Sequence, residues 1–333
     1  MNITKGRIIA MKRYLVLLLL LASLTSGVYG KGHRYASRAD AIAAQIHDPS
    51  SRYVVVACHR GDWRNWPENS IPAIESVIRM GADIVEIDIH MTKDSVLVLC
   101  HDDNVRRTTN FAGVFRAEKD KSPRIADMTL AEIKRLSLKR AHGATIDTLQ
   151  IPTLEEALLC TRGRICVNID KGFDYYDEVI RVTEKLGVTS QVLIKSSHPI
   201  RKVAARRAPY RNNMMYMPVV NIQTKNGGKL FDSYMESGTV PVAYEVCWSR
   251  NDDGSFREAA RKIVSQGSKV WVNTIWASLC GGDGNDDDAA FTAKDPGDVY
   301  RPYIDAGVSM IQTDRPELLI RWLKKTGHHR LRY

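Results

Sequence analysis

Clustered basic residues are missing from this sequence. Lys and Arg outnumber Asp and Glu by 48 to 38, yet no basic run or nucleic-acid motif gathers the excess. Nothing therefore points to DNA or RNA as a partner. Cysteine is scarce as well: six in 333 residues. The spacings of Cys58, Cys100, Cys160, Cys166, Cys247 and Cys280 fit no zinc pattern. Most fall within strand-like apolar runs, where cysteine serves as a small buried hydrophobe. Cys160 and Cys166 are the one pair to check for a disulfide. Repeats of solenoid period and a glycine-rich phosphate fingerprint are also lacking.

Long hydrophobic runs are absent except near the start. Tyr14 to Ala22 follows Lys5, Arg7, Lys12 and Arg13 and precedes Val28-Tyr29-Gly30. That run is too short to span a bilayer comfortably, and its flanks are those of a cleaved secretory signal over residues 1–30. Met11 offers an alternative start. No cysteine follows closely, so no lipid or other stable membrane anchor is expected, and the location expected is secreted or periplasmic. Setting aside the four leader bases, the formal charge of +10 falls to about +6. This modest excess suits a small anionic substrate. Oligomeric state leaves no mark in the sequence.

What is present is concentrated between Tyr53 and Asp103. Two apolar runs each end in a histidine, His59 and His101, and a third carries Glu86 and Asp88. Strand period places both acids on one face. Only Met91 to Ser95 separates that strand from the next, too little for a parallel crossover, so the two form a hairpin. A turn at Lys93-Asp94 sets His101 opposite Glu86; one at Asp94-Ser95 sets it opposite Asp88. Either way imidazole and carboxylate stand roughly 5 Å apart at Cβ. Two like charges on a buried face are costly unless a cation or proton compensates.

The remainder reads as alternating strands and helices. Ser70 with Pro72 opens a helix that ends at Gly81. Thr129 with Glu132, and Thr153 with Glu156, form capping-box patterns. Residues 102 to about 150 are irregular and form a small insertion on the rim. Main strands are expected at Val54–Cys58, Ile84–Ile89, Arg164–Ile169, Gln191–Ile194, Met214–Val220, Val240–Val246, Lys269–Ile275 and Ser309–Thr313. Eight βα units in residues 31–333 argue for one (β/α)8 TIM barrel, with a doubly wound sheet as runner-up.

In such a barrel chemistry sits at the carboxyl ends of strands. His59, Glu86, Asp88 and Asp170 fall there, with His101 returned by the hairpin. Three carboxylates suit a hard divalent ion, Mg2+ or Ca2+, better than zinc. Asp102 is placed to hold His101 or cap the next turn. Trp248, Arg250, Asn273 and Trp276 follow or close later strands, where an aromatic either stacks on a polyol or simply packs. The acidic run Gly281 to Asp288 reads as a solvated loop or helix start, with a lid as the alternative.

His59-Arg60-Gly61, Pro67-Glu68-Asn69-Ser70, Glu86-Ile87-Asp88 and His101-Asp102 together resemble the motif set of the glycerophosphodiester phosphodiesterase family. The resemblance covers most of the chain after about residue 50. It implies the same barrel and metal-dependent hydrolysis of glycerophosphodiesters, with His59 and His101 as acid and base and Arg60 on the phosphoryl group. Glu86 and Asp88 match the family's metal-binding pair. Asp170 matches a third acid that is commonly Glu. The family lysine lies two residues past that acid, whereas Lys171 lies one past, so Lys195 is a second candidate. Glu68 and Asn69 would fix the loop near His59, with Glu68 also considered for the metal. Other readings are a phosphoinositide or lipid-headgroup diesterase, and a silent binding module of the same fold.

Overall fold

The computed structural model describes residues 35–115, 123–141, 143–210, 212–249, 254–276 and 286–333. The expected leader, Arg250, Cys280 and the first part of the acidic run lie outside them. The strands are β1 Val55–Cys58, β2 Ile84–Met91, β3 Leu97–Leu99, β4 Cys166–Asp170, β5 Val192–Ser196, β6 Met215–Asn221, β7 Ala243–Cys247, β8 Lys269–Asn273 and β9 Val308–Thr313. All except β3 are parallel, and β1 pairs with both β2 and β9, which closes an eight-stranded barrel. Helices follow the strands, so this is the expected (β/α)8 barrel, carried by Ala36–Arg332.

Strand alternation decides which side chains meet inside. At the amino ends the interior residues are apolar: Val55, Ile84, Cys166, Leu193, Met215, Ala243, Trp271 and Met310 form one cluster. Ile42, Ala43 and Ile46 of the helix Arg38–His47 join it and plug that end. Two residues further along, the same face turns polar, with Glu86, Asn168, Lys195, Glu245, Asn273 and Gln312. The opposite parity, such as Val54, Val56, Val85, Ile87, Val167, Tyr244 and Val246, packs against the helices. Each such burial stabilises by about 1.5–3 kcal/mol. The apolar floor thus fixes the cylinder and leaves its mouth for charged groups.

The hairpin takes neither expected register. Ile89 pairs with Leu99, His90 with Val98 and Met91 with Leu97. The loop is Lys93-Asp94-Ser95, closed by Thr92 N–H on Val96 O at 2.9 Å, with Ser95 at φ 62°. Cys100, not His101, therefore reaches Asp88, its N–H donating to the Asp88 carbonyl at 3.0 Å. His101 stands one residue beyond.

Both capping boxes form, at Thr129/Glu132 and Thr153/Glu156. The rim insertion packs around its own core, including Val105, Phe111, Ile125, Ile133 and Leu138. Cys160 and Cys166 are not joined: Cys160 donates to Glu75 and Cys166 to the Ala39 carbonyl. Among the described residues no helix is long and apolar enough to cross a membrane.

Candidate active site

At the mouth, single carboxylate oxygens of Glu86, Asp88 and Asp170 lie within 4.8 Å of one another. Parallel pairing of β2 with β4 causes this, since Asp88 and Asp170 are register partners. Glu86 and Asp88 are buried. Burial, and then the charge of Asp88, push Glu86 up to about 7. Burial works against Asp170 too, but Lys195 and Lys171 outweigh it and hold its carboxyl below the usual range. Two like charges about 4 Å apart repel by about 4 kcal/mol even in a polar protein environment. An oxygen-only donor set under that repulsion fits a hard divalent cation.

Left-handed backbone at the strand ends arranges this cluster. Arg60 at φ 53° donates its backbone N–H to Glu86 Oε2 at 2.9 Å. Gly61 follows at φ 75°, where an added Cβ would sit 3.0 Å from Ala73 backbone. Asn69 at φ 56° clamps Asp88: its Nδ2 donates to Oδ2 at 2.9 Å, and its Oδ1 accepts from Asp88 N at 3.0 Å. Such strained positions persist where surrounding contacts enforce them. The Arg60 guanidinium donates to Glu68 at 3.2 Å, and its Nε lies 3.5 Å from Asp88 Oδ2, buried and without a hydrogen bond.

The histidines stand in unlike surroundings. His59 is buried, with Nδ1 3.0 Å from Asp314 Oδ1. Burial alone would lower its pKa, but the Asp314 bond and the Glu86 charge raise it. Asp314 also accepts from Trp63 Nε1 at 2.6 Å and donates its N–H to Asp287 Oδ2 at 2.7 Å. Asp287 Oδ1 accepts from the hydroxyls of Thr274, Thr313 and Tyr300. Burial pushes Asp287 up to about 6. The end of the acidic run is therefore a helix start, one of the readings expected: Asp286–Thr292 begins with Asp286 and Asp287 buried and supports the His59 partner. Sequence reasoning missed Asp314 altogether.

His101 is partly exposed, and Nδ1 lies 2.8 Å from Asp102 Oδ1. Arg107 bonds both Asp102 and Glu68, and chiefly through it Asp102 is lowered to about 2. Asp102 thus holds His101, as expected. Glu68 pairs with Arg60 and Arg107 and is absent from the acid cluster, which corrects its suggested metal role.

Lys171, at φ 61°, donates to the His101 carbonyl and lies 3.1 Å from His90 Nε2, so it braces the loop that carries His101. Lys195 is the lysine inside the mouth, 3.1 Å from Glu245 and 3.7 Å from Asp170. Burial would lower it, but Glu245 and Asp170 hold it above the ordinary lysine range. Asn273 donates to Glu245 at 2.8 Å and points into the barrel, not the rim. Trp276 meets His59 edge-on at 5.2 Å and lines a cleft of about 260 Å³ with Arg60 and Trp63. Trp248 does not join them. It is buried, stacked on Phe256 at 4.1 Å among residues packed against the helices.

Known proteins share this sequence pattern and this fold. The signature of the glycerophosphoryl diester phosphodiesterase family matches residues 59–216, and that of a domain of unknown function matches 216–323. A glycerophosphodiester phosphodiesterase of Caldanaerobacter subterraneus is 32% identical over 47% of this chain and 63% of its own length. The chain thus spans less than two thirds of that relative. YhdW of Bacillus subtilis, provisionally named a glycerophosphodiester phosphodiesterase, is 30% identical over 55% of this chain and 71% of its own. Among solved structures, a glycerophosphoryl diester phosphodiesterase of Parabacteroides distasonis superposes with TM-score 0.66 at 22% identity, covering 88% of this chain and 93% of the other. An Oleispira antarctica phosphodiesterase in complex with the product sn-glycerol-3-phosphate gives 0.55 at 19%, covering 81% and 96%. At those identities the structures establish the fold. With the YhdW alignment and the family signature on residues that build the mouth, the chain belongs to the glycerophosphodiester phosphodiesterase family.

Proposed function

We propose that this protein hydrolyses glycerophosphodiesters to sn-glycerol 3-phosphate and an alcohol, using Mg2+ or Ca2+ held by Glu86, Asp88 and Asp170. The observation that carries the reading is the convergence of these three carboxylates within 4.8 Å, beside two histidines each tied to its own aspartate. The names of the two bacterial relatives support the activity. When bound, the ion would supply positive charge to the phosphoryl oxygens. Arg60, which lines the cleft beside His59, adds positive charge to that neutralisation. His59 and His101 divide the proton work: one takes the proton of the attacking oxygen, from water or from a neighbouring substrate hydroxyl, and the other gives one to the departing alkoxide; after hydroxyl attack, water opens the cyclic phosphate to glycerol 3-phosphate. Asp314 and Asp102 fix the Nδ1 side of each ring, leaving Nε2 for the substrate. Lys195 stays cationic beside Asp170 and limits repulsion within the cluster. The leader expected over residues 1–30 makes this an exported activity.

The test is release of glycerol 3-phosphate from glycerophosphocholine, glycerophosphoethanolamine and glycerophosphoinositol, with intact phosphatidylinositol alongside. Turnover of the first three alone supports the reading. Turnover of the intact lipid alone, or undiminished rates in His59→Ala and His101→Ala, overturns it. Binding without turnover on every member would make the chain a silent module.

A further inference from the structure

Beside the acids lies a cleft that carries two positive charges the diester reaction does not use. It extends from His59 and Trp276 to Lys139 and Arg140 on the rim insertion. Arg107 lines it too, but is satisfied by Glu68 and Asp102. Glu68 is the acid in the lining, and both Arg60 and Arg107 occupy it. Lys139 and Arg140 differ: among the described residues neither has a carboxylate within ion-pair range. The Arg140 guanidinium rests over the Trp66 ring at 5.8 Å. Their backbone is tied down, with Lys139 N–H on Thr108 O at 2.8 Å and Arg140 N–H on Ala144 O at 2.9 Å.

We propose that this cleft receives a second phosphate, carried on the alcohol of the diester, so that the preferred substrates have phosphorylated polyol head groups. The inference rests on the hydrolase reading above and names its substrate class. The scissile phosphate is already served by Arg60 and the acid cluster, so the unpaired cations answer to a different anion. Trp63 and Trp276 could in principle cage a quaternary ammonium. Two uncompensated positive charges in the same concavity repel it and attract a dianion. A volume of about 260 Å³ suits a short head group, not an acyl chain.

The experiment compares kcat/KM for glycerophosphoinositol 4-phosphate, glycerophosphoinositol and glycerophosphocholine, in the parent protein and in Lys139→Met/Arg140→Met. The first two substrates differ only by the phosphate. The parent should favour the phosphorylated one by about tenfold, mostly in KM, the factor one charge-assisted hydrogen bond contributes. In the double variant that ratio should fall toward one, and high salt should lower it in the parent. Should the paired change unsettle the turn, each single variant is read by the same ratio. Equal values for the two inositol substrates, or a ratio unmoved by the substitutions, overturns the proposal and leaves the hydrolase reading standing. Preference for glycerophosphocholine would assign the cleft to the tryptophans and overturn it likewise. Turnover of none of the three rejects the hydrolase reading, and this inference falls with it.

Discussion

His59 Nδ1 lies 3.0 Å from Asp314 Oδ1, across 255 residues of sequence. The contact joins the ends of β1 and β9, neighbours in the closed barrel. Asp314 raises the pKa of His59 against the opposing effect of burial. Asp314→Asn is therefore expected to lower it. If His59 must be neutral to act as base, the acid limb of the kcat profile moves to lower pH. If it must be protonated to act as acid, the alkaline limb moves to lower pH. Either shift, with kcat reduced by roughly tenfold or more, is read from a pH–rate series; a profile that falls without moving would deny the link.

Glu86 carries a stability consequence. Its folded pKa, about 7, lies above the ordinary carboxyl value near 4.5. The metal-free fold is therefore stabilised by the bound proton at low pH and loses that contribution as pH rises through about 7. The proposed divalent cation would replace the proton in this role. Added Mg2+ or Ca2+ should raise Tm more at pH 8 than at pH 5, and Glu86→Gln should remove most of the difference. Equal gains at both pH values would place the ion elsewhere.

Two tryptophans expected alike should respond differently. Trp248→Ala removes a buried ring stacked on Phe256 and is expected to cost about 3–5 kcal/mol, with KM little changed. Trp276→Ala opens the cleft beside His59 and should raise KM with a small loss of stability. Urea unfolding and steady-state kinetics on both proteins decide it.

Lys171→Met cuts the tie to the His101 carbonyl. The expected result is a fall in kcat of a few fold to tenfold, because the brace positions the loop that carries His101, with metal affinity retained because Lys195 still holds Asp170 ionised. Loss of metal binding would instead make Lys171 part of the acid site.

Much of this was legible in the sequence because apolar period-2 runs carry strand identity directly. The runs ending in His59 and His101, and the Glu86-x-Asp88 alternation, already name the mouth. The hairpin register was not legible. A three-residue loop needs a left-handed residue, and Ser95 fills that position where Gly or Asn would have announced it. Of the two readings left open for Trp248, packing holds, and parity held the answer. It shares a face with Tyr244 and Val246, whereas Glu245 faces the interior with Lys195. Asp314 and Asp287 gave no local signal, since their roles arise from barrel closure and from helix packing on β9. Lys171 was weighed as the family lysine although it lies one residue past Asp170 and not two; its left-handed backbone turns it to His101.

Glu86, Asp88 and Asp170 are proposed to hold the ion that makes the histidines productive. The direct measurement is a titration of EDTA-stripped protein with Mg2+ or Ca2+, following glycerol 3-phosphate release and ion binding together. Activity should be absent without the ion and return as it binds with a matching midpoint, while Asp88→Asn and Asp170→Asn weaken both. Full activity in the stripped protein, or restored activity with unchanged affinity in both variants, would contradict it.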